Sequence, residues 1–486
     1  MKAPRTFLWH DYETFGADPM IDRPAQFAAL RTDADLEPVE QPVVCYCAPA
    51  DDFLPHPAAC MITGITPQTA RAEGEPEALF AARIEEEMMR PGTCSVGYNS
   101  IRFDDVVTRN LFYRNLRDPY AREYKNGNSR WDLIDLARMC YAIRPEGIEW
   151  PMHEPGKPSF RLEDLTAANG IEHEGAHDAL ADVRATIGLA RLIRKKQPRL
   201  FEWGLQMRDQ PAVSRLLDTT EPQPLLHSSS RIPANRGCTS LVLPLAVLPD
   251  RPKHIVVFDL AADPEPLLSE AAETIHDLVF TPTADMPEGV ERLPLKVVKT
   301  NGVPMVAPLG VLKGVDQERI GLDEALCRRN ATRILPQLAN VRQKVIETFS
   351  QSTGGHVSDD PDRMLYSGDF FTSADRRLMD KIIRIKPADL GRHQWSFQDG
   401  RLHTMLFRYR ARNYPETLNL NESMEWDRYR RQRLLESEAP EDFTLADFQA
   451  ALAEQRTLHA GKPEALSVLD QLESWIDEIG LEALAS

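Results

Sequence analysis

The chain has 486 residues, 42% of them hydrophobic and 7% aromatic, with 57 basic against 74 acidic side chains and a formal charge of −17. That length exceeds one ordinary core and implies two or three globular domains. The charge excludes a protein that coats polyanions indiscriminately, while leaving room for a local basic groove. Seven scattered cysteines (45, 47, 60, 94, 140, 238, 327) without a C-x-x-C pair read as buried thiols in a reducing compartment, not as zinc ligands or disulfides. No basic-apolar-small leader opens the chain and no run of 18 apolar residues occurs, so a cytoplasmic location away from membranes is expected.

In chain order, residues 6–13 (TFLWHDYE) and 42–49 (PVVCYCAP) read as strands and 75–89 (EPEALFAARIEEEMM) as a helix. A short strand at 93–99, a helix from about 104 and a long helix over 178–196 follow. Adjacent strands ahead of helical units predict a mixed sheet covered by helices. Composition shifts after Pro198. Residues 218–237 are loop-rich, and β-like runs at 239–248, 254–260 and 293–300 are punctuated by prolines, as in a small β-rich domain with edge strands. A helical stretch near 323–350 closes this part. Segment 351–362 (QSTGGHVSDDPD) is the linker candidate, and 363–486 is mostly helical in pattern, ending in the amphipathic run 466–484. Three domains are therefore expected, at 1–198, 199–350 and 351–486.

The chemistry concentrates in the first domain. Asp11 and Glu13 end an apolar run with one residue between them, and strand alternation projects both carboxylates from the same face. Like charges so placed repel and raise each other's pKa unless something positive lies between them. Asp104 follows Phe103 at a predicted strand-to-helix junction; alone it reads equally as a helix N-cap, and Asp105 as a first-turn acid. His177 and Asp182, with four residues between them, lead into the long helix, with Asp178 as its cap. Asp182 then lies on a small-residue face, where a charge wants a partner. A second register, His173 with Asp178, is disfavoured because Asp178 already has the capping role. Four carboxylates from three segments suit a hard divalent cation such as Mg²⁺. Two such ions can clamp the attacking and leaving oxygens of a phosphoryl displacement, and they supply the missing positive charge between Asp11 and Glu13. His177, titrating near neutrality, can take a proton from the attacking water.

The order D-x-E, N-x-x-x-F-D, H-x4-D resembles the DEDDh 3′→5′ exonucleases, which share an RNase-H-like fold. The longer strings HDYETFG, DRPAQFAALRTD, ITGITPQ, GYNSIRFDD, AHDALADV and LFRYRARNYPETL resemble the bacterial exodeoxyribonuclease I family, over most of the chain. That resemblance implies an α/β architecture: an RNase-H-like mixed-sheet exonuclease domain, then an SH3-like β-rich domain and a C-terminal helical domain, enclosing a groove for single-stranded DNA. It implies that Asp11, Glu13, Asp104 and Asp182 hold two Mg²⁺ ions, with Mn²⁺ as an alternative, and that His177 is the general base. The implied activity is 3′→5′ hydrolysis of single-stranded DNA to 5′-mononucleotides, in DNA repair and recombination. The resemblance also implies docking of the acidic tail of single-stranded-DNA-binding protein, with Arg144 a candidate member of the pocket. One departure is Tyr12-Glu13-Thr14-Phe15, where many such enzymes have Thr-Glu-Thr-Thr; Phe15 is open between stacking on a base and joining the core.

Nine Arg/Lys face six acids between Arg102 and Arg144, interleaved with aromatics, a composition suited to phosphates and unstacked bases. Arg109, Tyr120 and Arg138 are the candidate DNA contacts there, with Arg161 ahead of the His177 segment to hold a phosphate and Glu13 also touching substrate. Arg408, Arg410 and Arg412, with Tyr409 and Tyr414, read either as the far wall of the groove or as ordinary ion pairs. Two other readings are an exoribonuclease or proofreading unit, which the chain beyond residue 200 argues against, and a non-catalytic DNA-binding protein, which the intact set of five argues against. A glycosidase needs carboxylates opposed across a cleft, and i/i+2 neighbours are badly placed for that. A monomer is expected.

Overall fold

The structure, a computed structural model, describes residues 4–173, 178–351 and 358–485. The chain forms two compact units, one of residues 4–129, 178–184 and 358–485, the other of 130–173 and 185–351.

The first unit holds β1 (Thr6–Thr14), β2 (Pro24–Thr32), β3 (Val43–Ala48), α1 (Pro57–Thr63), α2 (Pro67–Glu73), β4 (Glu75–Pro76), α3 (Glu77–Met88), β5 (Thr93–Gly97) and α4 (Asp104–Arg114). Within this unit the sheet runs β4-β3-β2-β1-β5. It is mixed, as expected: β1–β2 and β2–β3 are antiparallel, β1–β5 and β3–β4 parallel. Its core places Leu8 and Phe27 of the sheet against Phe80 and Ile84 of α3 and Phe112 of α4.

Strand β2 carries no clear sequence signal, because PAQFAALRT is alanine-rich and lacks alternation. The reason is burial on both faces: every residue of β2 is buried, so nothing selects polar residues at alternate positions. Arg31 lies within it and is satisfied all round. Its Nη1 donates to Thr6 and Thr93 Oγ1 at 2.9 Å each, and its Nη2 to the Glu87 carbonyl at 2.8 Å.

The C-terminal helices complete this unit with a second core. Phe15, two residues past Glu13, is 1% exposed and packs 5.8 Å from Phe53. Both belong to one cluster with Phe448, Leu469 and Trp475, so Phe15 is a core residue. Beside that cluster runs a chain of buried ion pairs. Arg412 donates to Asp52 at 2.9 Å and to Asp362 at 2.6 Å, and Arg408 also reaches Asp362, at 3.1 Å. Arg23 lies between Asp52 and Glu77, at 3.8 and 3.7 Å, and Glu77 in turn takes Arg114. Burial alone would raise these acids, but Arg412 and Arg23 hold Asp52 well below the usual carboxylate range. Against the same opposing burial, Arg114 and Arg23 bring Glu77 down to about 2. Arg410 pairs with Glu422 at 2.6 Å. Of the two readings of these arginines, ion pairing is the one the structure bears out.

The second unit contains an antiparallel five-stranded sheet in the order Leu295–Lys299, Arg251–Asp259, Thr239–Leu248, Leu225–Ser228, Met305–Pro308. Pro244 sits in its middle strand because the register shifts between Pro244 and Ala246, a bulge that removes the need for a donor. The helical stretch expected at 323–350 is two helices, Glu324–Ile334 and Leu338–Ser350, parted by a 3₁₀ turn around Pro336. All seven cysteines are buried free thiols. Among the described residues no helix is long and apolar enough to cross a membrane.

Removing one member of a buried, paired charge network leaves its partners uncompensated. Arg412→Met is therefore expected to lower the stability of its unit by about 3–5 kcal/mol, read as an earlier urea transition of the tryptophan signal; an unchanged midpoint would contradict the role given to the network.

Candidate active site

β1 pairs with β5 only from Thr6 to Trp9, so its second half runs past the parallel neighbour and leaves a ledge. Asp11 and Glu13 sit on that ledge. Asp182 reaches the same place from the helix Ala179–Lys196, and one oxygen of each of the three lies within 4.8 Å of the others. Asp104, the first residue of α4, is tied to β1 between them: its Oδ1 accepts from the Tyr12 backbone N–H at 3.1 Å. The Tyr12 hydroxyl bonds Thr108 Oγ1 at 3.0 Å, one turn further along α4, and the Thr108 hydroxyl donates to the Asp104 carbonyl at 2.8 Å. Asp104 is thus a ledge residue and not the cap, which is Phe103. Asp105 points elsewhere, into a buried pair with Arg122.

Asp182 owes its place to a clamp at its helix start. Asp178 Oδ1 accepts from the Leu180 and Ala181 N–H groups at 3.1 Å, the expected cap. Gln26 lies opposite Glu13 in the β1–β2 register and is 1% exposed. Its Oε1 accepts from the Ala179 N–H at 3.1 Å, while its Nε2 donates to the Tyr46 hydroxyl at 2.9 Å and to Asp178 at 3.5 Å. One side chain therefore fixes the helix to the strand pair that carries Glu13. Sequence reasoning passes over Gln26, since an amide inside an alanine-rich string gives no chemical signal. His177 lies outside the described residues. His173, the alternative, bonds Thr166 Oγ1 at 3.0 Å.

The electrostatics follow from crowding. Burial pushes the Asp11 carboxyl well above its ordinary value, and Asp104, Glu13 and Asp182 add to the effect. Burial, then Asp182 and Asp104, pushes Glu13 up to about 8. Each of these influences acts in the same direction. An all-oxygen donor set, closely spaced and strained by like charge, fits a hard divalent cation, whose charge reverses the local pKa logic. His10, beside Asp11, is buried against Phe27 and Tyr12. Burial and then Arg122 lower it to about 3, so it stays neutral.

The other sequence candidates fall into two groups. In this unit Arg109 donates to Glu123 at 2.7 Å and lies 5.4 Å over the Tyr120 ring. Tyr120 lines a cleft of about 370 Å³ with Tyr113, Tyr124 and Lys125 from one side and Phe370 and Arg376 from the other. Phe370 is 79% and Tyr124 61% exposed. Phe370 and Phe371 are not among the sequence candidates, although an aromatic pair shortly before an Arg-Arg step is the signal that could have found them. In the other unit Arg138 pairs with Asp135 and lies 5.7 Å over Phe160, Arg161 is 63% exposed beside Glu163, and Arg144 donates to the Val311 carbonyl at 3.0 Å.

Two measurements check this site. With Glu13 at about 8 when folded against an ordinary 4.5, the folded state of the metal-free protein binds more protons between those values, so its stability falls as pH rises through that window. The depressed Asp52 and Glu77 titrate below it. Melting in EDTA is expected at a lower temperature near about pH 8.5 than near about pH 6, with Mg²⁺ or Mn²⁺ restoring the loss and Glu13→Gln flattening it. Gln26→Leu, which frees the start of the Asp182 helix, is expected to weaken divalent-ion binding by roughly 10–100-fold, followed by calorimetry; unchanged affinity would remove Gln26 from the site.

The chain can now be set beside known proteins. The family described as "Exonuclease" matches residues 8–190, "Exonuclease I SH3-like domain" 208–351 and "Exonuclease I C-terminal domain" 359–479. Exodeoxyribonuclease I of Escherichia coli K12 is 47% identical over 431 residues, 89% of this chain and 90% of that one. The Haemophilus influenzae exodeoxyribonuclease I is 42% identical over 469 residues, 96% and 97% of the two. The crystal structure of E. coli exonuclease I in complex with a dA16 oligonucleotide superposes with a TM-score of 0.92 at 45% identity, covering 98% of this chain and 99% of that one. A moderately thermophilic exonuclease I from Methylocaldum szegediense gives 0.91 at 46% identity, with 98% and 99% coverage. With an exonuclease domain, an SH3-like domain and a helical C-terminal domain in that order, and with this degree of identity along nearly its whole length, the chain belongs to the exodeoxyribonuclease I family of exonucleases.

Proposed function

We propose that this protein is a Mg²⁺-dependent exonuclease that degrades single-stranded DNA from its 3′ end and releases 5′-mononucleotides. The observation that carries the reading is the convergence of Asp11, Glu13 and Asp182 within 4.8 Å, with Asp104 bound to the backbone between the first two. Asp11, Glu13, Asp104 and Asp182 would hold two divalent ions, with Mn²⁺ as an alternative to Mg²⁺. Such ions, when bound, polarise the scissile phosphate and acidify the attacking water. The chain's own residues do the rest. The Tyr12–Thr108 bridge holds Asp104, and the Gln26–Asp178 clamp holds Asp182. Glu13 also faces the terminal nucleotide, and His177 takes the proton from water, a role assigned by its four-residue spacing from Asp182.

The cleft lined by Tyr120, Tyr124 and Phe370, with Lys125 and Arg376, offers flat faces and cations to the strand upstream of the reacting end. E. coli exonuclease I has been crystallised with single-strand oligonucleotides, which supports that choice of substrate. Arg109 orders Tyr120 by stacking on it, and Arg138 and Arg161 are assigned to phosphates. Domain limits at residues 198 and 350, a monomeric cytoplasmic protein, service in DNA repair and recombination, and docking of the acidic tail of single-stranded-DNA-binding protein near Arg144 complete the reading.

A 5′-labelled single-stranded DNA, incubated with Mg²⁺ beside matched RNA and blunt duplex, tests it. Stepwise 3′ shortening of the DNA alone is expected, abolished by EDTA and at least about a hundred-fold slower for Asp182→Ala. Preferential digestion of RNA, or binding without shortening, would overturn the proposal.

A further inference from the structure

The cleft has a continuation. Arg376 and Asp380, which line it, belong to the helix Ser373–Ile382, whose inner face buries Asp375, Met379 and Ile382. Its outer face and the segment beyond carry Arg376, Arg377, Lys381, Arg384, Lys386 and Arg392, all exposed, against Asp380 and Asp389. In a chain of net charge −17 this is a local excess of positive charge. Elsewhere in the unit, Arg23, Arg114, Arg408 and Arg412 are consumed by buried acids. Here, among the described residues, Arg392 alone has an acid in hand, Asp389 at 3.2 Å. Arg376, Arg377, Arg384 and Lys386 make no side-chain hydrogen bond or ion pair among the described residues. Aromatic rings flank the cations: Trp395 stacks with His393 at 5.4 Å and with Phe397 at 6.3 Å, and Lys381 Nζ lies 5.5 Å from the Trp395 ring.

We propose that this exposed face, from Arg377 to Arg392, is a second binding tract for the phosphate backbone of single-stranded DNA, engaged only by substrates long enough to run past the cleft. The inference rests on the single-strand reading above. A run of exposed cations suits the evenly spaced phosphates of a strand leaving the aromatic cleft, and the half-buried Trp395 ring, packed on the core, holds Lys381 in that run. The spacing sets the length. Asp104 and Tyr113 lie at the two ends of α4, about 14 Å apart at 1.5 Å per residue. At roughly 3.4 Å per stacked nucleotide the cleft lies about four nucleotides from the reacting end. The helix Ser373–Ile382 covers a further 15 Å or so. Strands of about five nucleotides end at the cleft, and strands of about ten or more reach the tract.

The test compares thymidine oligonucleotides of about 20 and about five nucleotides on the full-length protein and its Arg377→Gln/Lys381→Gln/Arg384→Gln/Lys386→Gln variant, with Arg384→Glu as a second, single change. For the long strand, binding measured in EDTA is expected to weaken about tenfold. Its log–log salt slope should fall by nearly three, four phosphates at about 0.7 each. KM should rise in parallel with kcat unchanged, and hydrolysis of the short strand should be untouched. Equal losses on both lengths, or no change in the long-strand salt slope, would overturn the tract. So would lost binding of an acidic peptide with DNA binding intact. If the wild-type protein binds the long strand but does not shorten it, the nuclease reading fails while the binding comparison still decides the tract.

Discussion

Mutual repulsion between carboxylates is the constraint around which the first unit is organised. Asp11, Glu13, Asp104 and Asp182 are brought onto one ledge, where burial and the neighbouring acids favour protonation of Asp11 and Glu13. A group of side chains this unfavourable persists only if the surrounding scaffold leaves it nowhere to relax. Three of the acids are accordingly held by fixed partners, Asp104 through its own carboxylate and Glu13 and Asp182 through the elements that bear them. The β1–β2 register fixes Glu13 opposite Gln26, the Tyr12 N–H takes Asp104, and the Ala179 N–H is taken by Gln26. The strain is a store of affinity: whatever cation arrives is met by ligands already assembled, and so loses little in arranging them.

The unit treats its positive charges in two opposite ways. Those near α3 and the helix Arg401–Asn413 are locked into acids, with Arg412 2% and Arg114 4% exposed at the side chain. They fasten the last third of the chain to the sheet and contribute nothing to the outer field. Arg376, Arg377, Arg384 and Lys386 stay in water, with no ion pair among the described residues. A count of basic residues cannot separate the two populations, which is why the string LFRYRARNYPE supports two readings until its neighbours in space are known.

How much of this is legible in the sequence follows from what kind of signal each element leaves. The carboxylate set is legible because it rests on residue types that chemistry restricts, spaced so that strand and helix periods bring them together. The helices α3 and Ala179–Lys196 are legible from their amphipathic period, the second also from its Asp178 cap, whereas the cap expected of Asp104 at α4 is not made. β2 is not, because a strand buried on both faces loses the alternation that marks strands. Gln26 is not, because its role depends on meeting a helix start some 150 residues later in the chain. Phe15 is ambiguous for the same reason. An aromatic two places from Glu13 looks like a substrate platform until Phe448 and Trp475, more than four hundred residues on, are found beside it.

That last contact bears on how the protein comes to be active. The turn after Glu13 is anchored in a core whose other half comes from helices made more than four hundred residues later, Leu445–Leu458 and Pro463–Glu478. Synthesis at about 5–20 residues per second leaves the amino-terminal segment waiting some tens of seconds for those helices to emerge. Until then the turn after Glu13 lacks half of the core that anchors it, and Asp11 and Glu13 stand on an unsupported ledge.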